Sequence, residues 1–261
     1  MKEGLKVFSS LQVASFRMLL AGLVLLPFIK KQDLRDAKKD WHYFLLSGFI
    51  GSGIPALLFS IAQVHISSSL AGALNGLTPL FALLIGVLFL KVPFSRNKLI
   101  GVLLGLFGAF LLASSDGVSF NKYSILVILA TLCYGINVNI VKHKLANHRP
   151  MLITALPLLF LAITSIILLL FTDFNFEVSK VQLGKSSVAI AILAFIGTAL
   201  SLVLFNRLIK STTAVFASSV TYLIPIVALF WGFLDNELIG LNQVAGLGVI
   251  LIAIWLIRND R

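Results

Sequence analysis

The chain has one cysteine, Cys133, among 261 residues. A single thiol forms no intrachain disulfide, so the redox compartment leaves no mark on the sequence. Cys133 sits inside an apolar stretch and reads as a small packing residue. Charge is scarce too. Asp, Glu, Lys and Arg make up 12% of the residues, against about 25% in a typical soluble domain, while 59% are hydrophobic and the mean hydropathy is +1.02. This leaves too little polar material to coat a soluble core and excludes a soluble globular protein. Acids are the scarcer sign: 10 Asp and Glu stand against 21 Lys and Arg, a net charge of +11. In a soluble chain that excess would point to nucleic acid. Here the cations fall in loops between apolar runs, and no nucleic-acid partner is expected.

Sequence patterns for chemistry are also missing. The four histidines, His42, His65, His143 and His148, lie at helix ends or in loops without metal-ligand spacing, so no metal site is expected and they read as solvated. There is no phosphate-binding loop of the kind that drives an ATP motor. There is no GxSxG elbow, and no acidic pair is placed for hydrolysis. Asp33, Asp36, Asp40, Asp116, Asp173, Glu177, Asp235 and Glu237 all fall in loops, so no acid inside an apolar run offers itself as a proton relay. The sequence therefore predicts neither an enzyme nor a cofactor.

What the chain has in quantity is apolar length. A bilayer core needs about 20 apolar residues per crossing helix, and runs of that order are predicted at 11–29, 43–63, 68–90, 97–114, 122–142, 151–171, 187–209, 214–234 and 242–257. The runs are too long and too continuous for the alternating strands of a barrel. Helices satisfy their backbone groups without water, so the fold class is an all-α integral membrane protein of about nine transmembrane helices. Pro27-Phe28-Ile29-Lys30-Lys31 follows the first run with no small-x-small cleavage pattern, which makes it a retained helix and not a signal peptide.

Cationic loops stay cytoplasmic. One side collects Lys30, Lys31, Arg35, Lys38, Lys39, Lys91, Arg96, Lys98, Lys142, Lys144, Arg149, Arg207, Lys210, Arg258 and Arg261. The other has only Lys2, Lys6, Lys122, Lys180 and Lys185, with Arg17 inside the first helix. Fifteen against five predicts a multi-pass protein of the plasma (inner) membrane, with its C-terminus cytoplasmic and the start of this chain outside. Such a start, without a cleaved signal, would follow from an absent preceding helix.

The chain also repeats itself. SLAGALNGLTPLFALLIGVLFL and the following LIGVLLGLFGAFLLAS match AVFASSVTYLIPIVALFWGFLD and QVAGLGVILIAIWLIR. Ala71, Pro79 and Gly86 match Ala217, Pro225 and Gly232 at a spacing of 146, and Gly101 matches Gly246 one residue out of step. The matched helices lie five spans apart, so they cross in opposite directions, as in the inverted-topology repeats of many secondary transporters. The repeats divide at 1–116 and 117–261, giving four plus five helices where five plus five are expected. Helix 122–142 has no partner in the first half.

At these residues the chain resembles the drug/metabolite transporter superfamily, specifically its EamA-type members, over nearly its whole length. KVFSSLQVASFRMLLAGLVLLP resembles the family's second helix, with Arg17 near its start. GALNGLTPLFALLIGVLFL resembles the fourth, and ATLCYGINVNIVKHKL an opening helix that ends in Lys, here Lys142. Val92 stands where the family usually has an acid, whereas the second half keeps Glu237. The resemblance implies a permease or exporter of small polar metabolites such as amino acids, working by alternating access through a central cavity between the repeats. Its expected partners are the lipid bilayer and a small-molecule substrate, with room for a homodimer. The alternative is a truncated or non-transporting membrane protein of the same fold.

Neutral polar groups inside apolar helices are the candidates for that cavity: Asn75, Thr78, Tyr134, Asn137, Asn206 and Tyr222. An uncompensated polar group in hydrocarbon is costly, so these should face the bundle interior. The competing role is interhelical bonding. Arg17, Lys142 and Arg207 are the gating or charge candidates, with Arg17 alternatively snorkelling outward. Pro55, Pro79 and Pro225 are the expected kinks, and the breakers in Gly51-Ser52-Gly53-Ile54-Pro55 predict a bent or unwound segment.

Overall fold

A computed structural model of the chain describes residues 2–113, 121–174, 178–224, 226–227 and 241–259. All regular structure among them is helical. In chain order the helices are α1 (Ser10–Leu25), α2 (Lys31–Ala37), α3 (Trp41–His65), α4 (Ser68–Asn75), α5 (Thr78–Leu90), α6 (Arg96–Ala113), α7 (Ser124–His143), α8 (Pro150–Leu169), α9 (Lys180–Ser211), α10 (Ala214–Ser218) and α11 (Leu241–Asn259). Among the described residues six stretches are long and apolar enough to cross a membrane: Ser10–Phe28, Trp41–His65, Leu70–Leu90, Ser124–His143, Pro150–Leu169 and Lys180–Ser211. Large apolar side chains such as Ile163, Leu88 and Phe89 point outward from these helices, as lipid-facing residues should.

The differences from the expected spans have local causes. The run at 187–209 begins earlier, because the Ser179 hydroxyl accepts from the Gln182 N–H and caps the helix. The run at 68–90 is two helices, since Gly76 and Leu77 make tight i→i−3 bonds to Ala73 and Leu74, and Pro79 has no N–H for the Asn75 carbonyl. Helix α2 was hidden in a charged loop. Of the helix expected over 214–234, Ala214–Ser218 and a 3₁₀ turn at Ser219–Tyr222 are seen. Pro225, Gly232 and Glu237 lie outside the described residues.

By its contacts the chain forms two compact units, each drawing helices from both halves of the sequence: 1–64 with 140–211, and 65–139 with 212–261. In the first, α1 packs on α8 through small residues. A Cβ at Gly22 would stand 2.6 Å from the Leu158 carbonyl oxygen, and Ala14, Met18, Ala21, Ala155, Leu158 and Ala194 fill the seam. Ser9 and Gln12 form a reciprocal capping box at the start of α1. Nearby, Ser186 donates to the Glu3 carbonyl, and the Lys6 and Gln182 side chains hold the Glu3 carboxyl below its ordinary pKa.

Two helices of this unit carry a wide π-turn, at Phe49–Gly53 in α3 and Phe195–Leu200 in α9. Both open on Phe-Ile-Gly. The first is the irregular segment expected at Gly51–Pro55.

In the second unit α6 packs on α11. A Cβ at Gly101 would meet the Ala253 carbonyl oxygen at 3.1 Å, and one at Gly108 the Gly246 carbonyl oxygen at 2.9 Å, so the helices run antiparallel. The close approach allowed by small residues substitutes for the hydrophobic drive that lipid removes. Helix α5 ends at Lys91 in the left-handed conformation (φ 54°), with the Val92 N–H bonded to the Gly86 carbonyl at 3.0 Å.

Candidate functional site

Helix α7 meets α5 at a small-residue seam in the second unit. A Cβ at Gly135 would lie 2.6 Å from Phe81 Cβ, and one turn on Asn139 donates its Nδ2–H to the carbonyls of Ala82 and Gly135, both at 2.9 Å. Asn139 is buried, and its Oδ1 has no hydrogen-bond partner. Tyr134 and Asn137 are three residues apart on the same helix and share a face turned away from the Gly135–Asn139 seam. Both are half-buried. At the α4–α5 break, Thr78 Oγ1 donates to Asn75 Oδ1 at 3.4 Å; Thr78 is buried and Asn75 half-buried. Asn75, Tyr134 and Asn137 thus keep the partial exposure that a solute-facing group needs.

Tyr222 is placed differently. It is 0% exposed, its ring lies against Gly76 and Gly105, and its hydroxyl donates to the Val102 carbonyl at 2.8 Å. That is a core position. Thr221 bonds its own helix through the Ser218 carbonyl.

In the first unit Asn206 is likewise enclosed, donating to Thr154 Oγ1 at 2.9 Å and tying α9 to α8. Arg17 lies in the body of α1 and turns its Nε–H to Thr198 Oγ1 at 2.6 Å, in the π-turn of α9. Lys142 donates from Nζ to the carbonyls of Ile209 and Lys210 at 3.1 and 3.2 Å, which satisfies the open end of α9 and places a cation at its negative pole. Arg207 is exposed. Pro55 follows the first π-turn and Pro79 sits in the first turn of α5.

One group of partners was not foreseen. Arg149 Nη1 donates to both oxygens of the buried Asp33 at 3.2 Å. His148 Nε2 lies 2.9 Å from Asp40 Oδ2 with its ring edge on Phe44, and Lys210 donates to the His148 carbonyl at 2.7 Å. His148 is therefore buried, not solvated. The signal available in the sequence was the pairing of an acidic 33–40 segment with a basic 142–149 one. These bonds hold 33–40, 148–149 and 210 at one end of the unit. Among the described residues no cluster of His, Cys, Asp and Glu suits a metal ion.

The EamA-like transporter family matches residues 1–114 and again 121–259. The chain belongs to the EamA-like transporter family. Its EamA relatives include an uncharacterized transporter of Archaeoglobus fulgidus, 25% identical and aligned over 100% of this chain and 92% of its own. YyaM, an uncharacterized transporter of Bacillus subtilis, is 24% identical over 95% of this chain and 84% of its own. YedA, an uncharacterized inner membrane transporter of Escherichia coli, is 24% identical over 97% and 83%. A solved crystal structure shares the fold with a TM-score of 0.74 at 13% identity, covering 96% of this chain and 89% of that one. The protein is thus an EamA-type, multi-pass helical membrane transporter.

Proposed function

We propose that the protein moves small polar metabolites such as amino acids outward across the plasma membrane, by alternating access through a cavity between two inverted repeats. The observation that carries this is a set of features recurring at the repeat spacing. The π-turns at Phe49–Gly53 and Phe195–Leu200 start 146 residues apart. At the same spacing, the Ser67 and Thr213 hydroxyls cap α4 and α10, accepting from the Leu70 and Phe216 N–H groups. At 145, the contact of Gly108 with Gly246 returns as that of Gly101 with Ala253, partners exchanged. A contact between antiparallel helices that maps onto itself on exchange is what two inverted copies related by a two-fold axis produce.

Matched elements also share a unit: α3 with α9, α4 with α10, and α6 with α11. The half-buried Asn75, Tyr134 and Asn137 suit an uncharged polar solute. The six membrane-capable helices contain no Asp or Glu, so none of them carries a carboxylate for proton coupling, which favours export down a gradient. The end of the first unit that gathers Asp33, Asp40, His148, Arg149 and Lys210 suits the cytoplasmic face, with the C-terminus on that side and the N-terminus of this chain outside.

Alternating access is tested with Asn137→Cys in a Cys133→Ala background. A membrane-impermeant maleimide should label it in both right-side-out and inside-out vesicles. Labelling from neither side, with the protein inserted, would contradict the cavity.

A further inference from the structure

The two π-turns are alike in sequence and unlike in what maintains them. The turn at Phe49–Gly53 is followed by Pro55, which has no N–H for the Gly51 carbonyl and whose ring opposes a regular α-turn there. Its irregularity is covalent. The turn at Phe195–Leu200 has no proline, and every residue from Phe195 to Ser211 carries an N–H, so a continuous α-helix is chemically open to it. A wide turn in such a stretch needs side chains to hold it.

Thr198 supplies that hold. It is 1% exposed, and its hydroxyl donates to the Leu193 carbonyl five residues back at 3.0 Å while accepting from Arg17 Nε at 2.6 Å. Ser52, at the matching place in the first turn, makes no side-chain hydrogen bond with a described residue. Arg17 itself is half-buried, on the helix whose Ala14, Met18 and Ala21 belong to the apolar cluster that also includes Ala199. A guanidinium in such surroundings is costly unless its donors are used. The bond to Thr198 therefore places the charge and braces the turn at once.

We propose that Arg17 and Thr198 are positioning residues of the transport cycle: the guanidinium clasps the Thr198 hydroxyl to hold α9 in its wide-turned register, and release lets the turn close to α-helix. The proposal rests on the transport reading above. Closure re-registers Ser201–Ser211 by one residue, about 100° of rotation and about 1.5 Å of rise. Asn206, bonded to Thr154, and Lys210, bonded to the His148 carbonyl, lie on that segment. Both bonds are exchanged in the second register, which carries the change to the charged end of the unit.

The register is read directly by spin labels at Val188→Cys and Leu204→Cys, exposed positions flanking the turn, in a Cys133→Ala background in lipid nanodiscs. With Arg17 and Thr198 intact, double electron–electron resonance gives one dominant distance. Arg17→Gln and Thr198→Val each populate the same second distance, and Thr198→Ser, which keeps the hydroxyl, retains the first. Distributions for Arg17→Gln and Thr198→Val that superimpose on the parent overturn the proposal. So does a shift in Arg17→Gln that the near-isosteric Thr198→Val does not reproduce. Thr198→Val and Thr198→Ser alone decide the matter if Arg17→Gln fails to insert.

Counterflow of a radiolabelled amino-acid mixture in proteoliposomes is read alongside. The two clasp variants lower the maximal rate about tenfold with a half-saturation concentration within about twofold of the parent. An unchanged rate in a variant whose distances have shifted overturns the role in transport. Absence of counterflow in the parent protein counts against the proposed function, and the distance measurement still decides the clasp.

Discussion

Tyr222 and Gly105 occupy one another's space so fully that a Cβ at position 105 would lie 2.4 Å from the Tyr222 ring. The ring is the plug of the second unit's core, with Leu83, Val102, Val215 and Ile250 around it. Overpacking a well-filled site costs about 1–3 kcal/mol, so Gly105→Ala should lower the melting temperature in detergent. Gly248→Ala is the control, because a Cβ there meets nothing within 4 Å; it should be neutral or mildly stabilising. Tyr222→Phe keeps the ring and loses the bond to the Val102 carbonyl, about 1 kcal/mol. Equal melting temperatures for the three variants would contradict this packing.

Asn206 and Asn137 should separate stability from transport. Asn206→Ala leaves the buried Thr154 hydroxyl without its α9 donor, and should cost about 0.6 kcal/mol or more, as interhelical bonds in membranes do, while substrate affinity changes little. Asn137→Ala and Tyr134→Phe should weaken half-saturation several-fold, about 1 kcal/mol of lost solute bonding. Thermal unfolding and flux measured on the same preparations distinguish the two patterns.

Lys142 and Arg207 make a second contrast. Lys142→Met removes both bonds to the end of α9 and should destabilise the protein by about 1–3 kcal/mol, whereas Lys142→Arg should retain part of the capping. The exposed Arg207→Gln should fall within about 0.5 kcal/mol of the parent. Denaturation followed by tryptophan fluorescence checks the order.

The Asp33–Arg149 and Asp40–His148 pairs fix a statement about sides. In a Cys133→Ala background, single cysteines at Asp36 and Asn147 should both react with an impermeant maleimide only in inside-out vesicles. Reaction from opposite sides would break the sidedness and, with it, the inverted repeat.

Most of the helical frame is legible in the sequence because apolar length and sparse charge are what a bilayer demands, and the start of α6 and the ends of α7 and α8 fall within about two residues of expectation. The first π-turn announces itself through two glycines and Pro55. The second does not, because Phe195–Leu200 contains no proline and only its partner, Arg17 on another helix, reveals why it is wide. Tyr222 and Tyr134 look equivalent as tyrosines in apolar runs. Only the opposing helix, which offers glycine and the Val102 carbonyl to one of them, tells a core ring from a half-exposed one. His148 reads as a loop histidine until the short helix α2, hidden by its own charges, brings up Asp40.

The proposed function requires a saturable pathway for small polar solutes. Counterflow of individual radiolabelled amino acids into proteoliposomes holding the purified protein tests it most directly. Saturable uptake above protein-free liposomes for at least one amino acid, weakened by Asn137→Ala, is the predicted result. Uptake indistinguishable from protein-free liposomes across the whole panel would contradict it.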